Sequence, residues 1–151
     1  MTDVHNKATR SRNMSAIRGK DTKPELQVRR LLHARGFRYS LKNRHLPGNP
    51  DIVLARYRAV IFVHGCFWHL HDCAAFHWPS SRAEWWRSKL LGNQTRDGRN
   101  LSQLHDEGWR TAIVWECALR GKHRIGEEAV ADLLSEWLRS DRQDVIIRGS
   151  A

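Results

Sequence analysis

The chain has 151 residues, with 26 lysines and arginines against 16 acidic residues, a formal charge of +10 and a pI of 10.4. That length excludes a second sizeable domain but suffices for one real hydrophobic core. The charge excess runs through the whole chain, which favours a polyanionic partner, nucleic acid first, beside the plainer reading of a ribosome-associated or simply basic protein.

No apolar run reaches the about 18 residues that would span a membrane, and the start MTDVHNKATRSR lacks a signal peptide's apolar segment, so the expected location is the cytoplasm. Residues 1–20 carry Lys7, Arg10, Arg12, Arg18 and Lys20 around Met14 and Ile17, and read either as an arm that orders on a partner or as a loosely docked helix. Met14 and Ile17 would share one face of a helical turn. Thr22 and Glu25 then form a capping box for a helix that presents Val28, Leu31 and Leu32 and stops at Gly36. Phe37, Tyr39 and Leu41 alternate as a half-buried strand does, and LPGNP forces a turn that delivers the chain to Asp51.

Strands over 51–55 and 59–64 are close enough for an antiparallel hairpin. After a loop of 65–80, Ser80 or Ser81 caps a helix through Trp85, Trp86 and Leu90, with a break at Gly92 and a further helix running to Glu107. Trp109 to Glu116 reads as a central strand, and Val130, Leu133, Leu134, Trp137 and Leu138 have the spacing of a helix that covers a sheet. Residues beyond Ser140 show no strong pattern. The expected architecture is a single α/β layer structure with a mixed sheet flanked by helices, organised as an arm (1–20), a domain (21–140) and a tail (141–151).

The stretch PDIVLARYRAVIFVHGCFWHLHDC, residues 50–73, concentrates the chemistry. Three cysteines in a cytoplasmic protein point to metal or free thiols more than to disulfides. Cys66, His71, Cys73 and the distant Cys117 could hold tetrahedral zinc and clip two loops together, although His64, His69 and His77 compete for the histidine place and ordinary buried thiols are the alternative. A fully ligated ion of this kind would be structural. Asp51, at the head of an apolar strand, suits a hard cation such as magnesium, or is only a strand-end cap. Pairing would bring Val63 near it, so that the Val63 carbonyl could join the shell, with His69 in the adjoining loop as general base. Phe67 and Trp68, together with Trp85 and Trp86 among Arg82, Arg87 and Lys89, have the character of apolar wedges that unstack DNA base steps. Core packing is the other reading, and holds for one of the adjacent pair Trp85 and Trp86.

The strings DVHNKATRSRNMSAI, LPGNPD, VIFVHGCFWHLHDC and VWECALRG, in this order, resemble the bacterial very-short-patch repair endonuclease family over residues 3–138. The resemblance implies a restriction-endonuclease-like core with a structural zinc. It also implies magnesium-dependent nicking of one strand on the 5′ side of the mispaired thymine in a T:G mismatch in double-stranded DNA. By position, Asp51 and the Val63 carbonyl would ligate magnesium, His69 would be the base, Glu25 and Asp97 would hold waters or orient the histidine, and His64 would lie behind them. Cys66, His71, Cys73 and Cys117 would bind zinc. Phe67, Trp68 and Trp86 would insert beside the mismatch, and Met14 and Ile17 would press from the other groove. A cytosine-5 DNA methyltransferase is the functional link, since deaminated 5-methylcytosine gives T:G. Mismatch-repair matchmaker proteins are conceivable partners of what should be a nucleoid-associated monomer. The chain departs from the pattern at Val63, where a member of the family carries threonine. Phe62 and His64 stand where related nucleases place an acidic residue and a lysine. Glu25 has two readings, a catalytic one and a helix cap, since the capping box explains it without catalysis.

Overall fold

The computed structural model describes residues 21–41 and 45–150. The basic arm, with Met14 and Ile17, lies outside the described residues. Helix α1 (Lys23–Ala34) begins as its sequence requires: the Thr22 amide donates to Glu25 Oε2 at 3.1 Å, and the Glu25 amide donates to Thr22 Oγ1 at 3.4 Å. Strand β1 (Ile52–Leu54) turns through Ala55–Tyr57 into β2 (Ala59–His64). Then follow α2 (Ala83–Asp106), β3 (Arg110–Trp115), the short α3 (Glu116–Leu119), α4 (Glu127–Leu138) and β4 (Asp144–Ile147).

The sheet order is β1-β2-β3-β4, with β1 antiparallel to β2 and the other pairs parallel. Every residue of β2 is buried, as expected of a strand covered on both faces. Its alternation divides the core. Ile61 and Val63 face α1 and α4, together with Val28, Leu134 and Trp137, whereas Val60 and Phe62 face Leu104 of α2. The result is a mixed α/β domain of three layers.

Several sequence expectations are corrected. Phe37 to Leu41 is not a strand: only Ser40 pairs, with Val53, while Phe37 turns into the core against Tyr57 and Leu41 is exposed. Gly92 does not break α2, which runs unbroken for 24 residues, about 36 Å. Interior glycines cost about 1 kcal/mol each relative to alanine, but burial of Leu90 and Leu104 on either side offsets this. Neither Ser80 nor Ser81 stands at the start of that helix; Arg82 occupies the N-cap position in a left-handed conformation with φ 54° and no side-chain cap bond, and its guanidinium lies 4.6 Å from the Trp85 ring centroid. The tail is part of the sheet. Residues 144–147 form β4, in which only Ile147 is fully buried and Ile146 is 64% exposed, too short and one-sided to show periodicity.

Arg110 closes the end of α4. Its guanidinium donates to the carbonyls of Trp137 (3.0 Å), Leu138 (3.1 Å), Ser140 (3.1 Å), Arg142 (3.2 Å) and Tyr57 (3.2 Å), so one side chain serves the last helical carbonyls and the turn that follows, with the Ser140 amide and hydroxyl also donating to Trp137. Replacing Arg110 with methionine keeps much of the stem but leaves each of these carbonyls one donor short. It should lower unfolding free energy by about 3 kcal/mol in urea titrations, and a loss below about 1 kcal/mol would contradict the capping role.

Candidate active site and metal cluster

Two groups of polar side chains form where β2 gives out into the loop, and the backbone at Leu70 separates them. The Leu70 φ of 55° is left-handed, which is uncommon for a bulky side chain. The reversal turns His69 to one side and His71 to the other, while the His71 amide donates back to the Cys66 carbonyl at 2.9 Å.

The first group lines a cleft of about 260 Å³ that includes Asp51, Val63, His64, His69, Asp97 and Asn100. His69 Nδ1 lies 2.6 Å from Asp97 Oδ2. That bond occupies Nδ1 and leaves Nε2 as the ring's remaining donor or acceptor. Parallel to the His69 ring lies His64, at 3.7 Å between centroids and 2° between planes. His64 is 5% exposed, and its Nδ1 has no protein partner among the described residues.

Asp51 enters from the start of β1. Its Oδ2 accepts from the Val63 amide at 2.7 Å, so the contact with Val63 is through N–H. With Ile52 opposite Ile61, Asp51 falls next to Phe62 along the ladder, one residue from Val63. Burial, reinforced by a hydrogen bond with the Glu25 carboxyl, pushes Asp51 up to about 8. Glu25 itself is only 2% exposed, with Arg29 Nη2 at 3.7 Å from its Oε2. Two adjoining carboxyls with so little compensating charge form a site that a hard divalent cation fits.

The second group is Cys66, His71, Cys73 and Cys117, whose ligand atoms all lie within 4.8 Å of one another. Burial pushes the Cys66 thiol up and the His71 imidazole down, so the pocket disfavours charge on both. Three thiols and one imidazole converging here are a soft, four-donor set that suits a structural metal. The His71 ring stacks on Trp115 at 3.9 Å and 6°, and the same tryptophan meets His64 edge-on at 5.2 Å. Trp115 therefore stands between the two groups. His77, a competitor for the histidine place on sequence, is absent from this cluster.

Beside the cleft, Phe67, Trp68 and Trp86 form a half-buried aromatic cluster, with centroid separations of 5.2 to 5.7 Å. Phe67 also meets Phe76 at 5.9 Å, and Phe76 meets the exposed Trp78 at 5.1 Å, so the cluster is larger than the sequence suggests. Asn93 Nδ2 donates to the Trp68 carbonyl at 3.0 Å and fixes it to α2. Asn93, Asp97 and Asn100 lie at i, i+4 and i+7, a polar stripe that an unbroken helix would have revealed. Of the adjacent pair, Trp85 is exposed and Trp86 half-buried, so neither is a core residue.

Burial is the main cause that holds His64 down to about 3, against an ordinary value of about 6.5. The unfolded chain therefore takes up a proton below about 6.5 that the folded chain refuses until about 3, and stability is lost as pH falls through that window. Relative to His64→Gln, the parent should lose about 2 kcal/mol of unfolding free energy between pH 7 and pH 5, measured by urea titration. A difference independent of pH would contradict a neutral, buried His64.

A family profile described as DNA mismatch endonuclease Vsr matches residues 2–75. The DNA mismatch endonuclease Vsr of Escherichia coli K12 is 49% identical over 138 residues, covering 91% of this chain and 88% of that protein. The type II nicking enzyme V.XorIIP of Xanthomonas oryzae pv. oryzae is 47% identical over 79% of this chain and 88% of its own length. For the type II nicking enzyme V.NmeAIP of Neisseria meningitidis the identity is 43%, over 81% and 87%. With the cleft and the cysteine cluster falling within the matched length, the chain belongs to the Vsr family of DNA mismatch endonucleases.

Proposed function

We propose that this endonuclease nicks one strand of double-stranded DNA on the 5′ side of the mispaired thymine in a T:G pair, by metal-assisted hydrolysis of one phosphodiester. The observation that carries the reading is the 2.6 Å His69–Asp97 contact facing Asp51 across one cleft. It supplies a base and a cation-binding carboxylate within reach of the same phosphate. A single buried carboxylate would support binding alone.

Asp97 orients the His69 ring by holding Nδ1, and Nε2 takes the proton of the attacking water. His64, kept neutral, gives His69 a flat surface without a competing charge. Asp51 would hold magnesium, with the Val63 carbonyl at the cleft wall as a further oxygen donor and Glu25 behind Asp51 holding waters; the ion would supply neutralisation of the charge that develops on phosphate. Cys66, His71, Cys73 and Cys117 would hold zinc, which does no chemistry and fixes the loop. Phe67, Trp68 and Trp86 would enter the duplex beside the mismatch, where unstacking is less costly than at a paired step. Met14 and Ile17 on the arm of residues 1–20 would press from the opposite groove.

A restriction-endonuclease-like core is supported by the antiparallel hairpin that carries Asp51, followed by the parallel β2-α2-β3 crossover. A monomer working in the cytoplasm, linked to a cytosine-5 methyltransferase and to repair partners, completes the reading. Among the described residues no helix is long and apolar enough to cross a membrane.

On a labelled T:G duplex with magnesium, Asp51→Asn and His69→Ala should each nick at least about 10³-fold more slowly while binding the duplex within a few fold of the parent. Unchanged nicking by Asp51→Asn would overturn the assignment. Equal cutting of T:G, other mismatches and paired duplexes would leave a same-fold nuclease with relaxed choice, and binding without any cutting would leave a zinc-stabilised mismatch-binding protein. Metal analysis should give about one zinc per chain. Cys117→Ser should lose that zinc together with thermal stability, and a metal-replete parent without zinc would remove the structural centre.

A further inference from the structure

The segment after β4 makes contacts that neither the catalytic reading nor the family assignment uses. The Gly149 amide donates to Cys117 Sγ at 3.3 Å. One residue earlier, Arg148 Nη1 donates to Asp72 Oδ1 at 2.9 Å and Nη2 to the Asp72 carbonyl at 3.3 Å. Asp72 lies between His71 and Cys73 in the chain. One residue later, the Ser150 amide and hydroxyl both donate to the His123 carbonyl, at 2.7 and 3.1 Å.

From this arrangement we infer that Arg148 and Gly149 are positioning residues of the metal cluster: a backbone clasp that holds Cys117 and the His71–Cys73 loop at the spacing a single ion requires. The inference rests on the reading of Cys66, His71, Cys73 and Cys117 as a zinc site. Cys117 reaches the cluster from α3, 44 residues beyond Cys73 in the numbering, so the two halves have no short covalent tie. The clasp touches both halves at once. An N–H directed at a thiolate stabilises the anion and sets the direction of its lone pairs, and outer partners of this kind typically govern metal affinity by about 10- to 100-fold.

Space restricts position 149 to glycine. A Cβ there would stand 2.6 Å from the Cys117 carbonyl oxygen and 2.8 Å from that of His123, both backbone atoms. Any side chain must therefore push α3 away from the strand end and lengthen the amide-to-sulfur contact.

The test is competition for zinc between the full-length protein and a chromogenic chelator, with cobalt(II) substitution as a reading of thiolate geometry. Gly149→Ala and a chain ending at Arg148 should each hold zinc at least about 10-fold more weakly than the parent. Their thiolate-to-cobalt charge-transfer bands should shift, and the metal-loaded urea midpoint should fall more than the metal-free one. Zinc held within twofold of the parent by the chain ending at Arg148, with an unchanged cobalt spectrum, would overturn the clasp. Should neither variant fold, the Gly149 amide of the parent decides: its proton resonance should move downfield and gain exchange protection when zinc is added, and identical resonances with and without zinc would sink the inference. A parent that binds no zinc is a different outcome, which refutes the zinc reading itself.

Discussion

The 2.6 Å contact between His69 and Asp97 joins two parts of the chain that the sheet leaves apart. His69 belongs to the loop after β2, and Asp97 to the middle of the long helix that crosses to β3. Because α2 is fixed through Leu104 against Val60 and Phe62, it gives the loop a rigid reference. The Asn93 contact with the Trp68 carbonyl adds a second point one helical turn earlier. Loss of helix continuity at Gly92 would separate the aromatic cluster, which includes Trp86, from the histidine, so an unbroken α2 is the condition on which the cleft depends.

Below that tie, charge is arranged by burial more than by pairing. Asp51 and Glu25 adjoin each other in a dry position, and burial together with the hydrogen bond to Glu25 raises Asp51 to about 8. The cysteine cluster answers in the same way, with its thiol disfavoured as an anion. Each group is thus poor at carrying its own charge and suited to a positive ion of matching softness. Trp115 keeps the two apart, and it does so from the end of β3, paired with His64, where the sheet holds it more firmly than a loop could.

Much of this was legible in the residues because it follows from short-range chemistry. The capping box, the 51–64 hairpin, the central strand and the helix through Trp137 rest on periodicity and turn residues. The convergence of Cys66, His71, Cys73 and Cys117 was readable from ligand type, and the histidine that completes the set needed the resemblance to single it out. What was not legible depends on contacts distant in sequence. Gly92 reads as a stop until Leu90 and Leu104 are seen to be anchored. DVII carries no signal until β3 offers it an edge. The bond from the Val63 amide to Asp51 follows from a register that no composition rule fixes. The left-handed Leu70, which decides what His69 and His71 each face, has no signature in the side chain.

The parallel rings of His64 and His69 carry a further consequence. Two imidazoles 3.7 Å apart share one small region of low polarity, and the neighbouring His69 ring adds to the burial that keeps His64 neutral. An uncharged ring lying flat at 2° to its neighbour fixes the plane of the His69 imidazole, while Asp97 fixes its edge.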